Sequence, residues 1–312
     1  MSELHVIFGT GPVGCWTARA LREMELPVRA INRSGNRPDL MPTDVEMVAA
    51  DAADSKQAIR AAGEASVIYQ ALNPPYHLWQ QLFPGLQAGA LAAAKAVGAR
   101  YVSIENLYMY DSSETIMEDT AIQPQSKKGA LRAKMADEVM EAHQRAEIQA
   151  TALRSSDYYG PGVLGSAMGE MIFGNLIAGK KAQVSGASDM PHSWAYIEDV
   201  GQAAAILGTH KESLGQIWIA PHAPALTQGQ MVESACQVLG IEPHLTVISP
   251  MMMRLAGLFI PSARASFEMM YEFTEPFLVN SRKFTETFQM DATPVSDGIK
   301  NTIDWYRANV SH

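Results

Sequence analysis

Cysteine is nearly absent from this 312-residue chain, where only Cys15 and Cys236 occur. Two thiols cannot staple a body of this size, and no His/Cys/Asp/Glu grouping has metal-ligand spacing, so neither a disulfide scaffold nor a metal site is expected. Cys15 falls where a first helix would pack on a sheet, and both thiols read as buried groups in a reducing cytoplasm. Basic residues are also short: 24 Lys and Arg face 33 Asp and Glu, leaving a formal charge of −9. That field opposes a phosphate-rich polymer, so no nucleic-acid partner is expected, although a local basic pocket can still hold one nucleotide. Long apolar runs are missing too. Residues 251–260 are interrupted by Arg254 and closed by Pro261, too short for a bilayer, so no membrane partner is expected. The stretch reads as a buried or pocket-lining helix, its methionines filling core or lining an adaptable apolar site. Met1-Ser2-Glu3-Leu4 leads straight into the first strand with no signal-peptide pattern, which fits a cytoplasmic location. Neither a GxSxG elbow nor a GxxxxGK[ST] loop is present, so hydrolase and NTPase readings lack support.

What is present begins at Gly9-Thr10-Gly11-Pro12-Val13-Gly14, directly after the apolar run His5-Val6-Ile7-Phe8 and before a helical pattern. A strand ending in such a turn aims backbone N–H groups and the positive end of a helix dipole past the sheet edge, where a pyrophosphate is favoured. Gly9 serves the tight turn, Gly11 the close approach of phosphates, and Gly14 the packing of helix on strand. Strands near 5–9, 28–32, 45–51, 66–72, 100–104 and 149–154 each precede a helical pattern, and a seventh comes late at 216–220. Repeated βα units of this kind imply an α/β protein with a doubly wound parallel sheet of Rossmann type. Helices are expected at about 78–98, rich in small residues and stopped by Gly98, and at about 127–146. Residues 1–157 plus about 187–222 are assigned to the dinucleotide-binding domain. Residues 158–186 plus 223–312 break the alternation and form a smaller substrate lobe over the carboxyl edge of the strands.

The second strand ends at Asn32, 23 residues after Gly9, and Arg33 follows. An acid here would hold a ribose 2′-hydroxyl and repel a 2′-phosphate. Asn32 is neutral and Arg33 offers a cationic fork, with Arg37 a second contact, so NADP is expected over NAD. Asp51 ends the third strand and is placed to accept from an adenine amino group; a helix N-cap, filled by Asp51 or Asp54, is the competing role.

The glycine turn, Asp51, the segment Val102 to Tyr110, Arg154 with Tyr159-Gly160-Pro161-Gly162, and Trp194-Ala195-Tyr196-Ile197-Glu198-Asp199-Val200 together carry a resemblance. The chain resembles extended or atypical short-chain dehydrogenases/reductases of the NAD(P)-dependent epimerase/dehydratase type. That resemblance implies a Ser, and a Tyr-x-x-x-Lys on the helix after the fifth strand, working with a nicotinamide cofactor. Here the chain departs: Lys128 falls at the tyrosine position, Arg132 at the lysine position and Asn106 at the serine position.

Two readings follow. In one, like charges around Lys128 make it a usable acid or base, Arg132 holds the nicotinamide ribose and Asn106 bonds the substrate oxygen. Alternatively Tyr108, or else Tyr110, Tyr158 or Tyr159, supplies the missing hydroxyl. The chain is then an NADP-dependent oxidoreductase or epimerase/dehydratase-like enzyme acting on a small carbonyl or sugar-like substrate. In the other, it is a catalytically silent NADP-binding redox-sensing protein, as the resemblance also allows. Lys127, Lys128 and Arg132 as a solvated helix face is the plain alternative.

Asn73, in the turn after the fourth strand, is expected at the ribose or pyrophosphate. Ser155 and Ser156 are expected near the nicotinamide amide, and Asp157, His192 and Trp194 at the substrate. The resemblance further implies a homodimer packed through the helices at 78–97 and 127–146.

Overall fold

The computed structural model describes residues 3–310. Seven strands form one parallel sheet: β1 (His5–Phe8), β2 (Val28–Asn32), β3 (Glu46–Ala49), β4 (Val67–Gln70), β5 (Arg100–Asn106), β6 (Gln149–Ser155) and β7 (Ile217–Ile219). Their spatial order is β7-β6-β5-β4-β1-β2-β3. The order reverses beside β1, where His5 pairs with Val28 on one side and Val67 on the other. A doubly wound sheet opens its ligand crevice at that switch point, outside the carboxyl ends of the strands.

Alternation along β1 divides the core. Ile7 faces α1 (Pro12–Glu23) and α5 (Ile197–Thr209), packing with Cys15, Ala18, Leu21, Val200 and Ala204. Val6 and Phe8 face α2 (Ser55–Ala62), α3 (Trp79–Val97) and α4 (Lys127–Gln144), packing with Ala58, Ala90, Ala94 and Val139. The small residues of α3 let that helix lie close to the sheet, and left-handed Gly98 ends it. Burial on both faces explains why these strands read as unbroken apolar runs.

β5 runs to Asn106, two residues past its expected end, because it stays paired with β6 through Asn106 and Ser155. That extension places Glu105 beside Arg154. A separate core is built from Tyr159, Ile172, Phe173, Val184, Met231, Ile299 and Tyr306, joined by Trp194 from the segment 187–222.

The apolar run at 251–260 is not the buried helix its composition suggested. It forms a short helix, Pro250–Ala256, followed by a second, Pro261–Phe267. Met251, Leu258 and Phe259 are 73%, 63% and 87% exposed, while Met269 and Met270 beyond them take the buried positions. Among the described residues no helix is long and apolar enough to cross a membrane.

Candidate active site

The turn after β1 is shaped by two glycines. Gly9 has φ +104, and a Cβ there would lie 2.5 Å from the Ala71 carbonyl oxygen; at Gly14 a Cβ would lie 2.0 Å from the Gly9 oxygen. Side chains at either position would force β1, β4 and α1 apart. Gly11 faces open space instead, with nothing within 4 Å of a Cβ. It caps α1 in extended conformation with no side-chain acceptor, and Pro12 takes the first helical position. The Val13 and Gly14 N–H groups therefore sit in a first turn that has no intrahelical partner for them.

Asn32 fastens the neighbouring loop to this turn. Its Nδ2 donates to Thr10 Oγ1 at 2.9 Å and to the Asn36 oxygen at 2.8 Å, while its Oδ1 accepts from the Gly35 amide at 2.6 Å. Arg33 is exposed and makes no hydrogen bond among the described residues. Arg37, the expected second contact, instead donates to the carbonyls of Pro42 and Val45, which tie it to the loop. Asp54 is the N-cap of α2, accepting from Lys56 and Gln57. Asp51 turns to the Ala53 amide at 3.0 Å.

A cleft of ≈ 350 Å³ opens at the switch point. It brings together Gly11, Pro12 and Val13 of the turn, Asn73 after β4, Asn106 at the end of β5 and Tyr108 after it, Arg132 of α4, and Ser156, Asp157 and Tyr158 after β6. Residues 163–166 close its far side. One wall is aromatic. Tyr76 meets Trp79 edge-on at 4.9 Å, Trp79 meets Phe83 edge-on at 5.2 Å, and Trp79 stacks on Tyr108 at 6.0 Å. Asn106 Oδ1 accepts from the Tyr108 amide at 3.4 Å, and the Tyr108 hydroxyl donates to Asp157 Oδ1 at 3.4 Å.

Several expected site residues are directed elsewhere. Lys128 is buried with its ammonium on Glu268 and, at 2.8 Å, on the Ala265 carbonyl, and it lies 4.6 Å from the Tyr76 ring centroid. Its neighbour in charge is thus an acid, in place of the like charges expected, and the residue is not part of the cleft wall. His192 and Trp194 are also one layer behind it: they stack at 4.0 Å, and His192 stacks on Phe277 at 5.0 Å. His192 Nε2 comes within 3.3 Å of Asp157 Oδ2, but without hydrogen-bond alignment, so both buried atoms lack a partner. The Ser155 hydroxyl donates to Tyr158 at 3.0 Å. Tyr110 is fully buried and its hydroxyl accepts from Arg154. Tyr159 packs in the separate core with Trp194 and Tyr306.

Buried charge is unevenly matched here. Arg154 Nε donates to Glu105 Oε2 at 2.9 Å, and Ser103 donates to the other oxygen at 2.7 Å, so both oxygens of this carboxylate are engaged. Burial, then the charges of Tyr76, Asp157 and Glu272, push the Tyr108 hydroxyl well above the usual phenol range. Tyr108 therefore keeps its proton near neutrality and is a donor. Burial, then Asp157, likewise raises the Glu272 carboxyl well above the usual range. His222 Nδ1 donates to the Ala220 oxygen at 2.6 Å, which leaves Nε2 to accept from the Ser156 amide at 3.3 Å. Burial lowers its pKa to about 4, so it is neutral.

Sequence reasoning missed the aromatic wall. Trp79 and Phe83 stand one helical turn apart, immediately after the flagged Asn73 turn, and that i, i+4 spacing on the first turns of α3 was the available signal. Glu268 and Glu272 carried none, because they reach the site only through tertiary packing.

Residues 6–220 match the family model described as the NAD dependent epimerase/dehydratase family. No curated protein matches the chain by sequence. Among solved structures, dTDP-glucose 4,6-dehydratase from Bacillus anthracis str. Ames in complex with NAD is similar, with TM-score 0.81 and 14% identity over 99% of this chain and 98% of that one. UDP-glucuronic acid 4-epimerase from Bacillus cereus, in complex with UDP-glucuronic acid and NAD, gives TM-score 0.79 and 16% identity over 98% of this chain and 99% of that one. UDP-glucose 4-epimerase from Thermus thermophilus, in complex with NAD, gives TM-score 0.79 and 16% identity over 99% of this chain and 100% of that one. At such identities the likeness is one of fold.

Proposed function

Because the chain belongs to the NAD dependent epimerase/dehydratase family, we propose that it is an NADP-dependent oxidoreductase or epimerase/dehydratase-like enzyme acting on a small carbonyl or sugar-like substrate. One observation carries this reading: a single cleft joins the Gly11-Pro12-Val13 turn to the polar groups of Asn106, Tyr108 and Arg132. The turn fits a dinucleotide, since Gly11 opens onto space and the adjoining N–H groups have no helical acceptor. Exposed Arg33, with no acid at the end of β2, supports NADP, whereas the similar structures named above hold NAD. When bound, the dinucleotide supplies or accepts a hydride.

Tyr108 holds a proton at its hydroxyl and delivers it to the substrate oxygen, and the Asn106 amide orients that oxygen. Arg132 holds anionic or hydroxyl groups at the same end. Lys128 acts at a distance, pinning residues 265–268 beside the aromatic wall. Cytoplasmic placement and pairing of two copies through α3 and α4 belong to the same reading.

The test is oxidation of NADPH by a panel of small carbonyl compounds, followed at the nicotinamide absorbance. Tyr108→Phe is expected to lower kcat about 100-fold or more with little change in KM, the loss typical of a proton donor. Full activity in that variant would falsify the assignment. A second reading, an NADP-binding redox-sensing protein without turnover, is favoured by the engagement of Lys128 with Glu268. Tight NADPH binding with no oxidation by any compound decides for it.

A further inference from the structure

We infer that the cleft takes a small anionic substrate, a carboxylate carried on a flat apolar body, whose charge is met by the Arg132 guanidinium. The inference deepens the proposed function and rests on its placement of the substrate in this cleft.

Three cations are buried around the site, and they are treated differently. Arg154 is paired with Glu105, and Lys128 with Glu268. Arg132, only 2% exposed, has no carboxylate within 4 Å among the described residues. Its guanidinium carries five donors. Two long contacts engage it, to Met135 Sδ at 3.9 Å and to the Ile104 oxygen at 3.4 Å, and Nε is buried with no partner. Glu105 makes no ion pair with it: its two oxygens accept from Ser103 and Arg154, and it acts on Arg132 only through its charge, which works against the effect of burial.

A buried cation without a hydrogen-bonded counter-ion is costly, and burial lowers the Arg132 pKa, with the Glu105 charge opposing it in part. The group borders the cleft, so a ligand can bring the missing counter-charge. A carboxylate fits the planar fork with two parallel hydrogen bonds, which a hydroxyl cannot supply. The body of the ligand is read from the wall beside it. Arg132 Cζ lies 4.6 Å from the Phe83 ring centroid, and Trp79, Tyr76 and Tyr108 continue that face. Rings of this kind favour a planar apolar surface.

Benzoate and its neutral isostere benzamide are the probes, titrated calorimetrically into the full chain with and without NADPH. Benzoate is expected to bind at least about tenfold more tightly, as a charge-assisted pair requires. Arg132→Met should erase that preference while leaving benzamide binding within about twofold, and Arg132→Lys should restore part of it. The apo Arg132→Met protein should also melt at a higher temperature, because an uncompensated charge has been removed. Equal binding of the two probes, no binding of benzoate, or a preference that survives Arg132→Met overturns the inference. So does a variant that loses NADPH affinity with the benzoate preference intact, which would give the guanidinium to the cofactor. If the chain binds no nicotinamide nucleotide, the proposed function fails, while the benzoate preference measured without nucleotide still decides this inference.

Discussion

The two walls of the cleft are built by different means. On the β1 and β4 side the lining is the Gly11-Pro12-Val13 turn, with its free backbone N–H groups, and residues 71–73 after β4. On the β5, β6 and α4 side the working groups are side chains, Arg132, Tyr108 and Asp157, standing beside the buried Glu105–Arg154 ion pair. A backbone wall needs particular residue types at fixed spacing, so it is nearly the same wherever a dinucleotide is held. The side-chain wall is free to vary, and chemistry and specificity are set there.

That contrast breaks first at the ion pair beside the side-chain wall. Glu105→Ala strands the Arg154 guanidinium, 1% exposed, without its acid. It is expected to cost about 3–5 kcal/mol of stability by chemical denaturation. A loss under about 1 kcal/mol would mean that the strand extension, and not the ion pair, holds this side together.

Next comes the dependence on pH. The pKa of His222 is lowered from 6.5 to about 4 by burial, so its contribution to stability is present above pH 6.5 and is lost as pH falls towards 4. The loss is on the order of 3 kcal/mol. His5 shifts in the same direction and also falls to about 4, which leaves a residual acid sensitivity in any His222 variant. His222→Gln is expected to flatten the fall in Tm between pH 7 and 4.5. Parallel curves for the variant and the parent would remove His222 as a cause.

Beyond the glycine turn, at the end of β2, the effect is one of selection. Arg33→Ala should weaken NADPH about tenfold and leave NADH unchanged, since only the 2′-phosphate is lost as a partner. An equal loss for both nucleotides would place the phosphate elsewhere.

The order of legibility follows the same division. The strands and the glycine turn could be read because each depends on a contiguous run: alternation, small residues, a stop at Gly98. Asn106 and Arg132 could be placed near the cleft because the resemblance puts them at the family's serine and lysine positions, and Tyr108 because it follows the fifth strand. The partners of Lys128 could not be read, since Glu268 is 140 residues away in sequence. His192 was visible as a titratable group, but its stacking on Phe277 was not, because aromatic packing between residues so far apart along the chain leaves no local pattern.

The methionine-rich stretch shows where composition misleads, and it supplies the smallest expected effect. Apolar content at 251–260 suggested burial, yet Met251 is 73% exposed and Phe259 87%. Apolar composition cannot tell a buried helix from an outward-facing one unless the polar residues fall on a distinct stripe, and here Arg254 is alone among the ten. A side chain already in water gives up almost nothing when removed. Met251→Ala and Phe259→Ser should each change stability by less than about 0.5 kcal/mol. In a melting experiment the shift should stay below about 2 °C. A clear fall in Tm for either variant would show that this hairpin packs against something in solution, and the apparent waste of apolar surface would become a contact.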